Sequence, residues 1–202
     1  MSDLNSGRYP DTYEQWMLDG KPSQPLRTSM DRRDILSAGV TMTLATVYVV
    51  PVVVQQGDVI SFISIGVKTA TATPTHGWAA LYTGTGTAAT LIAQSADDTS
   101  GFHGSGALQK FTLATPYTVG AAPGGTGTDG PLVLGVALYN SGATAGVLDG
   151  MSGSSVAGAV LYSGQVPLVS TVALSATATA PANLAGVAAA VSGVPYIALS
   201  RS

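Results

Sequence analysis

The stretch VTMTLATVYV, residues 40–49, decides the fold class of this chain. Apolar residues and threonines alternate through it, and a period of two is typical of a β-strand with one buried face. Similar short stretches follow, rich in Val, Ile, Thr or Tyr and bounded by Gly, Pro or Ser. They are VISFISIGV, HGWAALYT, LIAQS, LQKFTL, PYTV, PLVLGVALY, AVLYS, VPLVSTVALS and VPYIALS.

The spacing of these stretches predicts an all-β domain, an antiparallel β-sandwich that is most simply a jelly roll. After residue 40 a helical pattern is weak, and LAGVAAAVSG (residues 184–193) fits either one short helix or a loop. In HGWAALYT, Trp78 and Tyr82 share one strand face. The apolar alternation around them predicts that this face is buried, whereas an exposed face would be a platform for stacking sugars.

The composition is apolar but poor in charge. Hydrophobic residues make up 46% of the 202 residues and charged residues only 9%, against about 25% charged in typical soluble domains. Such a surface favours extensive contact with other subunits. A net charge of −3 and scattered Lys and Arg argue against nucleic acid and anionic membranes as partners. The longest apolar run, VYVVPVVV, is far shorter than the ~20 residues of a membrane span, and the polar N-terminus is not typical of a signal peptide.

Charge is concentrated near the N-terminus. Residues 1–34 hold five basic and six acidic residues, whereas the whole chain holds eight and eleven. This break predicts two regions, an N-terminal docking arm over residues 1–38 and a β-sandwich over residues 39–202.

The arm is predicted to be extended, with two short helical turns. Asp11 with Glu14, and Thr28 with Asp31, resemble helix caps, and prolines at 22 and 25 keep the chain extended between them. Its large apolar and guanidinium side chains are the types that anchor protein interfaces. The predicted partner-binding residues are Tyr9, Tyr13, Trp16, Met17, Leu18, Arg27, Arg32 and Arg33.

The candidates for chemistry are Asp97, Asp98, His76 and His103. Paired carboxylates catalyse only when they converge across a substrate, and a zinc site needs three or four protein ligands. The chain has no cysteine and only two histidines. The interpretation favoured here is a solvated turn whose carboxylates cap backbone N–H groups, so no catalytic residue, metal or cofactor is predicted.

The order of several motifs resembles virion structural proteins of tailed bacteriophages, especially phages of actinobacteria. The motifs are HGWAALYT, LIAQSADDTS, LQKFTLATPYTVG, GPLVLGVAL and ATAPANLAG, and the resemblance covers roughly residues 40–190. It implies a head decoration protein, a head fibre or a minor tail protein on the exterior of the virion. It does not separate these roles, because one scaffold serves several parts of a virion.

The hypothesis that follows is a capsid decoration protein. Its arm binds the major capsid protein, and its β-sandwich assembles as a homotrimer on the particle surface. The alternative is a minor tail or fibre protein that contacts tail proteins and binds a host-surface glycan. A third reading, an enzyme acting on the host envelope, lacks a visible acid/base pair.

Overall fold

The structure is a computed structural model that describes residues 27–30, 35, 38–84, 89–103, 106–120, 132–152, 169–189 and 193–200. Within those ranges the chain forms fourteen β-strands and no α-helix. The strands are β1 Arg27–Thr28, β2 Val40–Thr41, β3 Thr46–Val54, β4 Val59–Thr69, β5 His76–Tyr82, β6 Leu91–Gln94, β7 Ala107–Thr118, β8 Leu132–Ser141, β9 Val147–Leu148, β10 Gly150–Ser152, β11 Ser170–Ala173, β12 Ala188–Ala189, β13 Gly193–Pro195 and β14 Ile197–Ser200. No helix with the length and hydropathy for a membrane span occurs in these ranges.

Two six-stranded antiparallel sheets make up most of the described structure. In the first, β7 pairs along one edge of β4, while β14 and β9 share the other edge, and β1 and β2 pair outside them. The second sheet has the order β12-β11-β3-β8-β5-β6. Strands β10 and β13 form a separate antiparallel pair.

The main core lies between the two sheets. It takes alternate residues of β3, β5 and β8 from the second sheet, and it takes Ile63, Ile65, Phe111 and Leu199 among others from the first. These side chains are almost fully removed from water, and burial of apolar surface is the dominant favourable term in folding. The two sheets therefore enclose one hydrophobic layer in a sandwich-like arrangement.

The second sheet is also covered on part of its outer face. Val47, Val49, Trp78, Tyr82 and Tyr139 form a second apolar cluster there with Ala180 and Leu184. The last two belong to residues 174–187, a segment that crosses this face and that we term the strap. Residues 47–50 of β3 have one apolar cluster on each side, and this part of the strand is therefore a continuous apolar run and not an alternating one.

The predicted all-β class with antiparallel sheets is confirmed, and several details of the strand assignment change. One is that VPYIALS is divided between β13 and β14. Residues 40–49 form two strands, β2 and β3, because the chain turns at Leu44 and Ala45, where Ala45 has a φ of 53°. LQKFTL and the first three residues of PYTV belong to the single strand β7. In residues 184–193, the described part contains the short strand β12 and no helix. AVLYS (residues 159–163) lies outside the described residues.

The last part of the predicted arm joins the first sheet. Arg27 and Thr28 pair with Leu199 and Ala198 of β14, and the Ser29 side chain bonds with the backbone of Pro195 and Ile197. Residues 27–30, which fall within the predicted arm of residues 1–38, thus contact the first sheet. The predicted short helical turn over residues 11–20 lies outside the described residues. Thr28, the predicted cap of the second turn, is a strand residue.

Candidate functional site

The two histidines and the two adjacent aspartates lie around one crossover between the sheets. Residues 95–103 leave β6 in the second sheet and lead to β7 in the first. Ser95 begins this segment and contacts both sheets. Its N–H donates to Ala79 O (2.9 Å), its hydroxyl accepts the Ala79 N–H (3.1 Å), and it forms a β-bridge with Leu113. The crossover is therefore fixed to both layers at its first residue.

Asp97 binds the crossover to β5. Its Oδ2 lies 2.7 Å from Nδ1 of His76, and its Oδ1 accepts the backbone N–H of Gly77 (3.2 Å). Both carboxylate oxygens are thus engaged with neighbouring residues of one strand. The His76 and Asp97 side chains are 30% and 19% exposed, so water reaches both groups and weakens the pair.

Asp98 forms contacts within the crossover and also joins the crossover to β7. Its Oδ2 lies 3.0 Å from Nε2 of His103 and accepts the Gln109 amide at 3.2 Å, while its Oδ1 accepts the Ser100 N–H (2.9 Å). Its own N–H donates to Gly77 O (2.7 Å). The predicted capping of backbone N–H groups by these aspartates is confirmed, but the two histidine contacts were not predicted.

The two His–Asp pairs do not form a shared site. The adjacent carboxylates point to different partners, because one meets β5 and the other meets His103 and β7. A nucleophilic triad needs a hydroxyl or thiol on the second ring nitrogen of the histidine, and no described hydroxyl is bonded there. The Ser141 hydroxyl instead bonds with the Thr75 hydroxyl (2.7 Å) and with the carbonyl oxygen of His76 (3.5 Å). The described residues also contain no group of three or more His, Asp or Glu that could hold a metal ion.

Close backbone contact fixes the end of the crossover. Gly101 has a φ of +60°, and a Cβ placed there would lie 2.5 Å from Pro74 Cβ and 2.8 Å from Asn140 Oδ1. A Cβ on Gly77 would in turn lie 2.8 Å from the Cα of Gly101. Only glycine fits this contact without strain, so the crossover packs directly on the β4–β5 connection and on β5.

The other candidate platform, Trp78 with Tyr82, is fully buried. Both side chains have no exposed surface, and Trp78 stacks on Tyr139 with ring centroids 5.0 Å apart. The prediction that this strand face is buried is confirmed, but the expectation that it points into the core between the sheets is wrong. The face meets the strap instead.

The polar atoms of these aromatic residues bind the backbone of the strap. Trp78 Nε1–H donates to Thr177 O (3.1 Å), and the Tyr82 hydroxyl donates to Pro181 O (2.7 Å). The Tyr139 hydroxyl likewise donates to a strap carbonyl, that of Ser175, at 3.2 Å. Burial raises the pKa of the Tyr82 phenol, because a phenolate would lose its hydration there. The aromatic residues therefore hold the strap in place, and their sugar-stacking faces are covered.

Arg27 is the one predicted partner-binding residue among the described ones. Its Nε lies 2.8 Å and its Nη2 3.3 Å from the two carboxylate oxygens of Asp58 in the same chain. Asp58 Oδ2 also accepts the Gln55 N–H (2.8 Å), so it closes the turn between β3 and β4. This bidentate pair fixes β1 to that turn. Asp58 is 31 residues away in sequence, and no local pattern indicates it as a partner.

The other predicted partner-binding residues lie outside the described residues. They are Tyr9, Tyr13, Trp16, Met17, Leu18, Arg32 and Arg33. Their role in partner binding stays a prediction. No protein-family model matches this chain, and no curated protein matches it.

Proposed function

We propose that this chain is a bacteriophage virion structural protein, a capsid decoration protein whose residues 1–26 bind the major capsid protein. The observation that carries the proposal is the bidentate contact between Arg27 and Asp58, which fixes the C-terminal end of the arm to the β domain. Large apolar side chains at 9, 13, 16, 17 and 18 precede this fixed point. Such a segment gains most by burying them against another protein.

The composition of the β domain supports its place in an assembly. After residue 34, the chain holds three basic and five acidic residues among 168. A surface with so little charge is suited to contact with neighbouring subunits. We propose a homotrimer with a jelly-roll-like β domain on the exterior of the virion. Sedimentation of the purified protein tests the trimer. A protein that is monomeric in solution at tens of micromolar, and is also monomeric when bound to particles, would contradict it.

We propose no catalytic role for the His–Asp pairs. The His76–Asp97 pair joins the crossover to β5, and the His103–Asp98 pair lies within the crossover. In neither pair is a described hydroxyl bonded to the second ring nitrogen of the histidine. The alternative function, a minor tail or fibre protein with a glycan site, loses its best platform because Trp78 and Tyr82 are covered by the strap. A structural protein of the head therefore fits the described residues better.

The test is binding of added protein to particles purified from phage in which the gene for this chain is deleted. We expect the full-length protein to bind heads, and protein lacking residues 1–26 to remain folded but not to bind. Tyr13→Ala with Trp16→Ala should weaken binding more than Lys110→Ala, which removes a surface charge of the β domain. Labelled protein on tails instead of heads would favour the alternative, and full binding without the arm would contradict the docking role.

A further inference from the structure

Exposed large apolar side chains are few in the described structure, and most of them lie at one end. They are Val53 (56% exposed), Val59 (38%), Val133 (36%) and Leu108 (66%). Val53 and Val133 are cross-strand partners on β3 and β8. Val59 begins β4, directly after the four-residue turn that follows β3. Val53 and Val133 alternate with core residues of β3 and β8, so they lie on the outer face of the second sheet near the turn that contains Asp58. We term these two valines the root face. Val59 precedes the core residue Ile60 and therefore lies on the outer face of the first sheet.

Leu108 lies at a distance from the root face. It pairs with Gly66 of β4, seven residues after Val59. At ~3.3 Å per residue, this separation is about 23 Å along the strand. Leu108 thus offers a comparison, because it is an apolar residue of similar exposure on another part of the same domain.

The register of β1 shows from which end the chain enters the domain. Strands β1 and β4 are both antiparallel to β14, so they run in the same direction. Arg27 pairs with Leu199 of β14, which pairs in turn with Ile63 of β4. Thr28 pairs with Ala198, which pairs with Ser64. The chain therefore enters β1 from the side on which β4 begins, which is the side of the root face. The Arg27 side chain reaches the same turn through its contact with Asp58.

We infer that the root face is a second docking surface, which packs against the same apolar surface of the shell protein that receives residues 1–26. The inference rests on the proposed function. An arm that leaves the domain near Val53 and Val133 and binds a partner brings that partner to these two valines, and contacts joined by a short tether act with a high effective concentration. Burial of Val53 and Val133 then fixes the orientation of the β domain, while the arm tethers the domain to the partner.

The test compares Val53→Asp and Val133→Thr with Leu108→Asp in the full-length protein. Each variant is added to the gene-deleted particles, and bound protein is measured against its concentration. We expect the two root-face variants to need about tenfold more protein, the change that follows from losing most of the burial of one valine. Leu108→Asp should bind as the parent does. Far-UV circular dichroism checks each fold, and Val53→Thr replaces Val53→Asp if the aspartate variant is unfolded.

The outcomes separate this inference from the proposed function. If the parent protein does not bind particles, the proposed function fails and the inference fails with it. If the parent binds and the arm deletion does not, but the root-face variants bind as the parent does, only the inference is overturned. A change of sedimentation coefficient in the root-face variants, with unchanged binding to particles, would assign the valines to a contact between copies and would also overturn it.

Discussion

The indole of Trp78 is stacked on the ring of Tyr139, with 5.0 Å between the ring centroids and 15° between the planes. The two residues are cross-strand partners on β5 and β8, and both donate a hydrogen bond to a strap carbonyl. Aromatic pairs of this kind stabilise a fold by about 0.5–1.5 kcal/mol beyond the contribution of the surface area that they bury. The stack therefore joins two strands and the strap in one unit.

Trp78→Ala should lower the free energy of unfolding by roughly 3–5 kcal/mol, because it leaves a cavity and removes the stack. Trp78→Phe keeps most of the apolar volume but loses the bond to Thr177 O, so we expect a smaller loss of about 1–2 kcal/mol. Urea unfolding followed by circular dichroism measures both. An alanine variant with the parent's midpoint, accompanied by a loss of glycan binding, would show that Trp78 serves a ligand.

Tyr82→Phe should lower the free energy of unfolding by about 1–2 kcal/mol, because the partly buried carbonyl of Pro181 loses its hydrogen-bond donor. The ring itself stays in place, so the remaining packing is unchanged. The expected signature is local: hydrogen exchange should accelerate in the strap more than in β4. Equal acceleration throughout the domain would contradict the view that this bond holds the strap.

Alkaline pH should destabilise the protein through the same residue. Burial raises the pKa of Tyr82 above its ordinary value of 10.0, so the folded state keeps a proton that the unfolded state releases. The stabilisation is complete below the unfolded pKa and is lost as pH rises from about 10 toward the folded pKa. Melting temperatures from pH 8 to pH 11.5 should fall, and Tyr82→Phe should fall less steeply. If the melting temperatures of the parent and of Tyr82→Phe fell by the same amount as pH rises, the assignment of the pH effect to Tyr82 would be contradicted.

Asp97→Asn with Asp98→Asn should lower stability modestly and leave particle binding unchanged. An amide keeps one acceptor, but Asp97 uses both oxygens, for His76 and for the Gly77 N–H. We expect a loss of about 1–2 kcal/mol in a thermal or urea unfolding measurement. Addition of EDTA should not change the melting temperature of the parent protein. A fall of many degrees that Ca²⁺ reverses would instead identify an ion site.

Arg27→Ala and Asp58→Ala should each destabilise the domain by about 1–3 kcal/mol, the range for hydrogen bonds to charged groups. The double variant should lose little more than Asp58→Ala alone, because the two side chains act on each other and Asp58→Ala also removes the acceptor of the Gln55 N–H. Deletion of residues 1–26 should leave the unfolding midpoint unchanged, whereas deletion of residues 1–30 removes β1 and should lower it. Equal midpoints for the two deletions would show that β1 contributes nothing to the β domain.

Local pattern was sufficient for the fold class and for many of the strands. The alternation in HGWAALYT and VISFISIGV depends on which side chains meet a sheet face, and this is set by the two-residue period of a strand. The same pattern placed Trp78 and Tyr82 on a buried face, and both are buried. It could not show that a strap covers that face, since residues 174–187 carry little pattern of their own and are held by hydrogen bonds from distant aromatic side chains.

The sequence by itself determined the all-β character of the domain and the Asp98 cap on the Ser100 N–H in the turn after β6, because each depends on neighbouring residues. Only the tertiary structure decided which distant residues meet. His76 contacts Asp97 from 21 positions away, and Arg27 contacts Asp58 from 31 positions away. The physical reason is that such pairs follow from strand order and register, which are set by the global packing of two sheets and not by any local preference.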